Sequence, residues 1–215
     1  LTQSIQFIFQ VALALDYAHR RGILHRDMKP SNIIIDRTGK PIVMDFGLAK
    51  ILSIGDPAYV KGVIMGTPYY MPPEQASGDM EQVGITSEIY SLGAILYELV
   101  SGKCPYYGKS PDTVLDIIGS TPPDPPSKIA NIDPRLERII LKAMHRKKHA
   151  RYQSALEFAQ DLQNFLENKP LIVDKQSPGM PATERIAYEK PRPQALPQEK
   201  QGVFAKIKSL FKLGK

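Results

Sequence analysis

A mainly α-helical body carrying one β-hairpin, followed by a basic tail, is the fold class that these 215 residues predict. Three observations predict it: apolar residues at helical spacing in several segments, two short β-branched runs around a turn, and a charge excess confined to the C-terminal end. The composition, 42% hydrophobic and 23% charged, is that of an ordinary globular chain and excludes collagen-like, coiled-coil and wholly disordered classes. No apolar run approaches the about 18 residues that a membrane span needs. One cysteine, Cys104, and the lack of a charged-then-apolar leader point to a reducing cytoplasm, and Leu1 in place of Met suggests a fragment or a processed chain.

The elements follow in chain order. Ile5, Ile8, Phe9, Ala12, Leu13 and Leu15 recur at helical intervals, which predicts a buried helix to about residue 21 with Gly22 as its stop. Two β-rich runs, residues 33–35 and 42–44, are separated by Asp36, Arg37, Thr38 and Gly39, a turn composition that folds them into a hairpin. Residues 53–84 show no sustained period and many Gly and Pro, and a loop that long is usually functional or mobile. Ile89, Leu92, Gly93, Leu96, Leu99 and Val100 then mark a strongly apolar helix interrupted only by Glu98. Further helices are expected at about 112–118, 134–145 and 154–167. Beyond Asp174, Pro178, Pro181, Pro191, Pro193 and Pro197 predict a flexible linker over 175–202. The expected organisation is a body over 1–174, that linker, and a basic segment over 203–215.

The net charge of +6 invites a polyanion partner until it is located. Residues 1–174 hold 19 Lys and Arg against 19 Asp and Glu, whereas 175–215 hold 9 against 3. In the tail, Val203, Phe204, Ile207, Leu210 and Phe211 fall on one helical face, with Lys206, Lys208, Lys212 and Lys215 largely elsewhere. That pattern suits an amphipathic segment on an anionic membrane surface or against a partner; the other reading is a disordered basic end, because helices under about 12 to 15 residues are marginal in water. Nucleic acid is not an expected partner, since nothing in the body supplies a reading surface. Arg146, Lys147, Lys148 and His149 read as an acidic-partner contact or as a solvated helix end. Cys104 reads as a packed small residue, and four scattered histidines make no zinc pattern.

Chemistry concentrates in His25, Arg26, Asp27, Met28, Lys29, Pro30, Ser31 and Asn32, followed one hairpin later by Asp45, Phe46 and Gly47. Polar groups bracketing an apolar hairpin supply what phosphoryl transfer needs: a carboxylate to orient and deprotonate a hydroxyl, a cation for the moving phosphate, and oxygen ligands for Mg²⁺. By residue type alone this is one option among several. A loop Asp also serves as a turn or cap residue, and a lone His25 also serves as a core histidine.

The ordered set H-R-D-x-K-P-x-N and D-F-G, then Gly66-Thr67-Pro68 with Tyr70-Met71-Pro72-Pro73-Glu74-Gln75, Tyr90-Ser91-Leu92-Gly93 and Arg151-Tyr152-Gln153-Ser154, resembles the eukaryotic-type serine/threonine protein kinases, most closely the bacterial ones, over about residues 1–174. The resemblance implies the large lobe of a protein kinase fold, with ATP and Mg²⁺ as cofactors and protein serine or threonine hydroxyls as substrates. It makes Asp27 the catalytic base, places Lys29 on the transferred phosphate, and gives Mg²⁺ to Asn32 and Asp45. It has Arg26 answer a phosphate on the activation loop, has Thr67 face the substrate hydroxyl, and leaves His25, Phe46 and Gly47 as supports. Glu74 and Arg151 become a buried ion pair between the end of the activation segment and the late helices.

The sequence departs from that pattern at several points. No G-x-G-x-x-G occurs and no lysine precedes Lys29, so the small lobe of the family, with its Gly-rich loop and strand lysine, is absent and is expected from a parent chain. The 215 residues alone are then expected to bind ATP weakly and to transfer phosphate negligibly. Pro72 stands where the family has Ala before Pro-Glu. Glu88 stands where it has an aspartate that caps the backbone N–H groups of the catalytic loop, with an extra methylene that can displace it. The activation segment keeps only Ser53, Tyr59, Thr67, Tyr69 and Tyr70 as hydroxyls. Protein kinase activity of an intact parent in the cytoplasm or at its membrane is the leading function, and a noncatalytic, pseudokinase-like interaction module is the alternative.

Overall fold

The structure is a computed structural model and describes residues 1–46 and 68–175; the linker and basic segment expected after residue 175 lie outside the described residues. Helix α1, Thr2–His19, buries the periodic face formed by Ile5, Ile8, Val11, Ala12 and Leu15. Each large aliphatic side chain removed from water contributes about 1.5 to 3 kcal/mol. The chain reverses after α1 at Gly22, whose φ of 71° lies in the left-handed region that glycine tolerates.

Strands β1, Ile33–Ile35, and β2, Pro41–Val43, pair antiparallel with Ile33 opposite Val43, Ile34 opposite Ile42 and Ile35 opposite Pro41. The second strand begins at Pro41 and stops short of Met44. Met44 N–H instead donates to the Asn32 carbonyl, closing the hairpin onto the turn that precedes it. Asp36 makes the turn: its Oδ1 accepts from Thr38 N–H and Oγ1 at 2.7 Å and from Lys40 N–H at 2.9 Å. Those bonds, led by the one from Lys40, hold its carboxyl below the ordinary range.

Between Pro68 and Gly84 the chain is not structureless: 3-10 turns at Pro68–Tyr70 and Met80–Gln82 flank a single helical turn, α2, Pro73–Ala76. None is long enough to show a period. Helix α3, Ile85–Ser101, is apolar nearly all round because it is buried nearly all round, and Gly102 ends it with φ of 77°. Gly93 is required there for a different reason: a Cβ on it would lie 2.8 Å from Ala143 Cβ and 2.9 Å from Met144 Cγ. Only glycine lets α3 approach the end of α5 so closely.

Helices α4, Pro111–Ser120, α5, Pro134–Ala143, and α6, Ala155–Leu166, start with side-chain caps from Ser110, Asp133 and Ser154, and the first two carry Pro at the first position. α1 packs most extensively on α6 and then on α3, and α5 packs on both α3 and α6. A last turn, α7, Ile172–Lys175, has no counterpart in the sequence reading. It is fixed by buried Asp161, which accepts the N–H groups of Ile172 at 2.5 Å and Val173 at 3.0 Å and the Tyr152 hydroxyl at 2.8 Å.

Candidate active site

The site forms where the loop after α1 meets the base of the hairpin. His25 is fully buried, and its two ring nitrogens have different partners: Nε2 lies 2.6 Å from the Met44 carbonyl, and Nδ1 accepts the Asp27 N–H at 3.3 Å. A donor on Nε2 and an acceptor on Nδ1 describe one neutral tautomer. The ring also meets Phe46 edge-on, with centroids 5.0 Å apart. Three contacts thus make His25 the joint between the two motif-bearing segments.

Asp27 and Lys29 pair at 2.6 Å through Oδ2 and Nζ. Asn32, in the 3-10 turn Pro30–Asn32, donates Nδ2 to the Asp27 carbonyl at 2.7 Å and to Asp27 Oδ2 at 3.2 Å. Asp27 Oδ1, Asn32 Oδ1 and the Asp45 carboxylate keep no protein partner among the described residues. Arg26 and Asp45 adopt φ of 67° and 60°, and Asn168 is the other non-glycine with positive φ among the described residues. Left-handed backbone costs a non-glycine residue about 1 to 3 kcal/mol and persists where surroundings enforce it, commonly at functional sites.

Glu88 supplies part of that enforcement. Its extra methylene does not displace it: Oε1 accepts the Arg26 N–H at 2.7 Å while Oε2 lies 2.6 Å from His19 Nε2. The longer carboxylate is accommodated because His19, at the end of α1, receives its second oxygen. Nothing in the motif pattern identified His19; its placement six residues before His25 was the available signal. Arg26 Nε is buried without a partner among the described residues.

Farther out, Arg151 and Glu74 form a two-armed pair at 2.7 and 2.8 Å. Arg151 also donates to the carbonyls of His145, Arg146 and Thr86, and Glu74 Oε1 accepts from Ser87 Oγ at 2.6 Å. Burial alone would raise the Glu74 pKa, but the hydrogen bonds and charge of Arg151 outweigh it and hold the carboxyl below its ordinary 4.5. Glu98, the acidic residue that interrupts the apolar second half of α3, accepts the Tyr70 hydroxyl at 2.5 Å. Burial, with neighbouring Cys104 and Glu98, keeps that phenol protonated and able to donate. Asp27, Met28, Lys29, Tyr70, Met71, Gln75 and Ser91 line an opening of about 30 Å³. Gly47 and Thr67, and with them Ser53 and Tyr59, lie outside the described residues.

Comparison with known proteins agrees with this geometry. A family described as the protein kinase domain matches residues 2–165. Serine/threonine-protein kinase PknB of Mycolicibacterium smegmatis is 40% identical over 162 residues, covering 74% of this chain and 26% of that protein. PknB of Mycobacterium leprae is 37% identical over 169 residues, 78% of this chain and 27% of its own length. A probable serine/threonine-protein kinase of Streptomyces coelicolor, SCO3848, is 36% identical over 195 residues, 89% and 28% respectively. The chain spans less than a third of the length of these curated relatives.

Proposed function

This chain belongs to the protein kinase family, and from that premise we propose that the full-length protein transfers the γ-phosphoryl group of ATP to serine and threonine hydroxyls of protein substrates. The observation that carries the reading is the joint arrangement of Asp27, Lys29 and Asn32 beside Asp45, with atoms left over for substrate and metal. Asp27 Oδ1 is the atom available to take the proton of the attacking hydroxyl, while Oδ2 stays engaged by Lys29 and Asn32. Lys29 is close enough to Asp27 to place its charge on the transferred phosphate. The donor set fits a hard cation: Asn32 commits its nitrogen to Asp27 and retains its oxygen, and the Asp45 carboxylate is exposed. Asn32 and Asp45 would hold Mg²⁺, which when bound supplies neutralisation of the phosphate charge. Arg26 is assigned to a phosphate on the activation loop and Thr67 to the substrate hydroxyl.

The adenine and the outer phosphates need a small lobe, and we assign it to the remainder of the protein. In support, Ile34 and Ile42, cross-strand partners on the hairpin, are 42% and 45% exposed, an apolar face a second lobe can cover. The 215 residues alone are expected to incorporate no label from radiolabelled ATP into a basic protein substrate, whereas the full-length protein does so and an Asp27→Asn variant does not. A full-length protein with Asp27 intact and no transfer activity establishes the noncatalytic interaction module instead. The basic segment 203–215 is assigned to an anionic membrane surface on the cytoplasmic side. Circular dichroism of the chain with phosphatidylglycerol vesicles should show a gain in helicity, and an unchanged spectrum counts against the assignment.

A further inference from the structure

The backbone on both sides of Asp27 is held by side chains. Asp27 N–H donates to His25 Nδ1, and the Asp27 carbonyl accepts from Asn32 Nδ2. The preceding carbonyl, that of Arg26, accepts from Gln75 Nε2 at 3.3 Å, and the Arg26 N–H goes to Glu88. His25 and Asn32 belong to the same loop as Asp27. Gln75 comes from α2, 49 residues later, and is the next residue after Glu74. Adjacent side chains of one helical turn therefore divide: Glu74 goes to Arg151 and Ser87, and Gln75 goes to the loop that carries the base.

We propose that Gln75 is a positioning residue for Asp27, transmitting the seating of Glu74 on Arg151 to the peptide unit that orients the carboxylate. The inference rests on the phosphotransfer reading above. Arg26 is in the left-handed region, where a non-glycine residue relaxes unless its peptide groups are tied, and the Gln75 amide ties the carbonyl that Glu88 cannot reach. When the end of the activation segment leaves Arg151, Gln75 leaves with it and the peptide before Asp27 is left with the His25 bond on its N–H, its carbonyl untied. Gln75 also lines the opening that holds Asp27 and Lys29, so the consequence falls at the site itself.

The test is steady-state kinetics of the full-length protein with ATP and a serine-bearing basic peptide. Gln75→Glu keeps the shape and removes the donor at neutral pH. It should lower kcat about five- to twentyfold, with KM for ATP changed by no more than about twofold. Its deficit against the unsubstituted protein should stay constant across about pH 6 to 8, where a carboxyl with an ordinary value of about 4.3 stays ionised and offers no donor. Gln75→Ala should show a kcat loss of the same order. A role confined to stability moves the unfolding midpoint of both variants and leaves kcat and its pH profile as in the unsubstituted protein, and that result overturns the proposal. An unsubstituted protein without Asp27-dependent transfer overturns the phosphotransfer reading and this inference with it, while variants whose kcat equals that of an active unsubstituted protein overturn this inference alone.

Discussion

Two ion pairs of nearly the same contact distance stand at opposite ends of the exposure scale. Lys29 and Asp27 meet at 2.6 Å with side chains 33% and 49% exposed; Arg151 and Glu74 meet at 2.7 Å with side chains 0% and 9% exposed. Water screens the first pair, so it contributes little to folding and both partners stay available to ligands. The second is shielded, and every polar group around it is satisfied by design of position: three carbonyls, a serine hydroxyl and both carboxylate oxygens. Nearly equal distance thus conceals different situations, a pair open to ligands and a pair that ties distant segments together.

The largest expected effect comes from the exposed pair. In the full-length protein Asp27→Asn should lower kcat by about 10² to 10⁴-fold, as loss of a general base does, while shifting the unfolding free energy by less than about 1 kcal/mol. A comparable loss of stability would break the contrast. Next, Arg151→Met leaves the Glu74 carboxylate and several carbonyls without their donor and should cost about 3 to 5 kcal/mol in urea unfolding of the whole chain. A loss under 1 kcal/mol would show that the buried pair is architecturally idle.

Acid sharpens the same contrast. The folded pKa of Glu74 lies below its unfolded value, so its stabilisation is present above about pH 4.5 and is lost as pH falls through the lower, folded value. In Arg151→Met only the Ser87 hydroxyl still opposes burial at Glu74, so that pKa rises relative to the unsubstituted protein. The stability gap between the two proteins should therefore be widest near neutrality and narrow on acidification, from the variant's Glu74 value down to the lower one of the unsubstituted protein; a constant gap would show that charge is not the cause. Smallest of all, Lys29→Ala should change the unfolding free energy by about 0 to 1 kcal/mol while lowering phosphotransfer sharply, which differential unfolding and the label assay read together.

Local pattern carried much of the fold. The first helix, the hairpin, the buried helix after Gly84 and the last two long helices are legible because each spans enough residues to show a period, or has a turn whose composition dictates it. The pieces that escaped are short. A four-residue turn such as α2 or α7 has no period, and it exists because Glu74 finds Arg151 and because Asp161 receives the N–H groups of Ile172 and Val173. Glu98 was visible as an anomaly, but its reason, the Tyr70 hydroxyl, lies 28 residues away.

The site divides along the same line. Residue types and their order located by themselves the proposed phosphotransfer set, since Asp27, Lys29 and Asn32 are close along the chain and a short hairpin brings Asp45 back to them. Tertiary structure alone decided who holds that set in place. Glu88 is 62 residues from the Arg26 N–H it accepts, Gln75 is 49 from the carbonyl it ties, and Arg151 is 77 from Glu74. A carboxylate, an amide or a guanidinium has many chemically equal partners along a sequence. Packing of distant elements on one another, such as α3 on α1 and, at Gly93, on the end of α5, selects one of them.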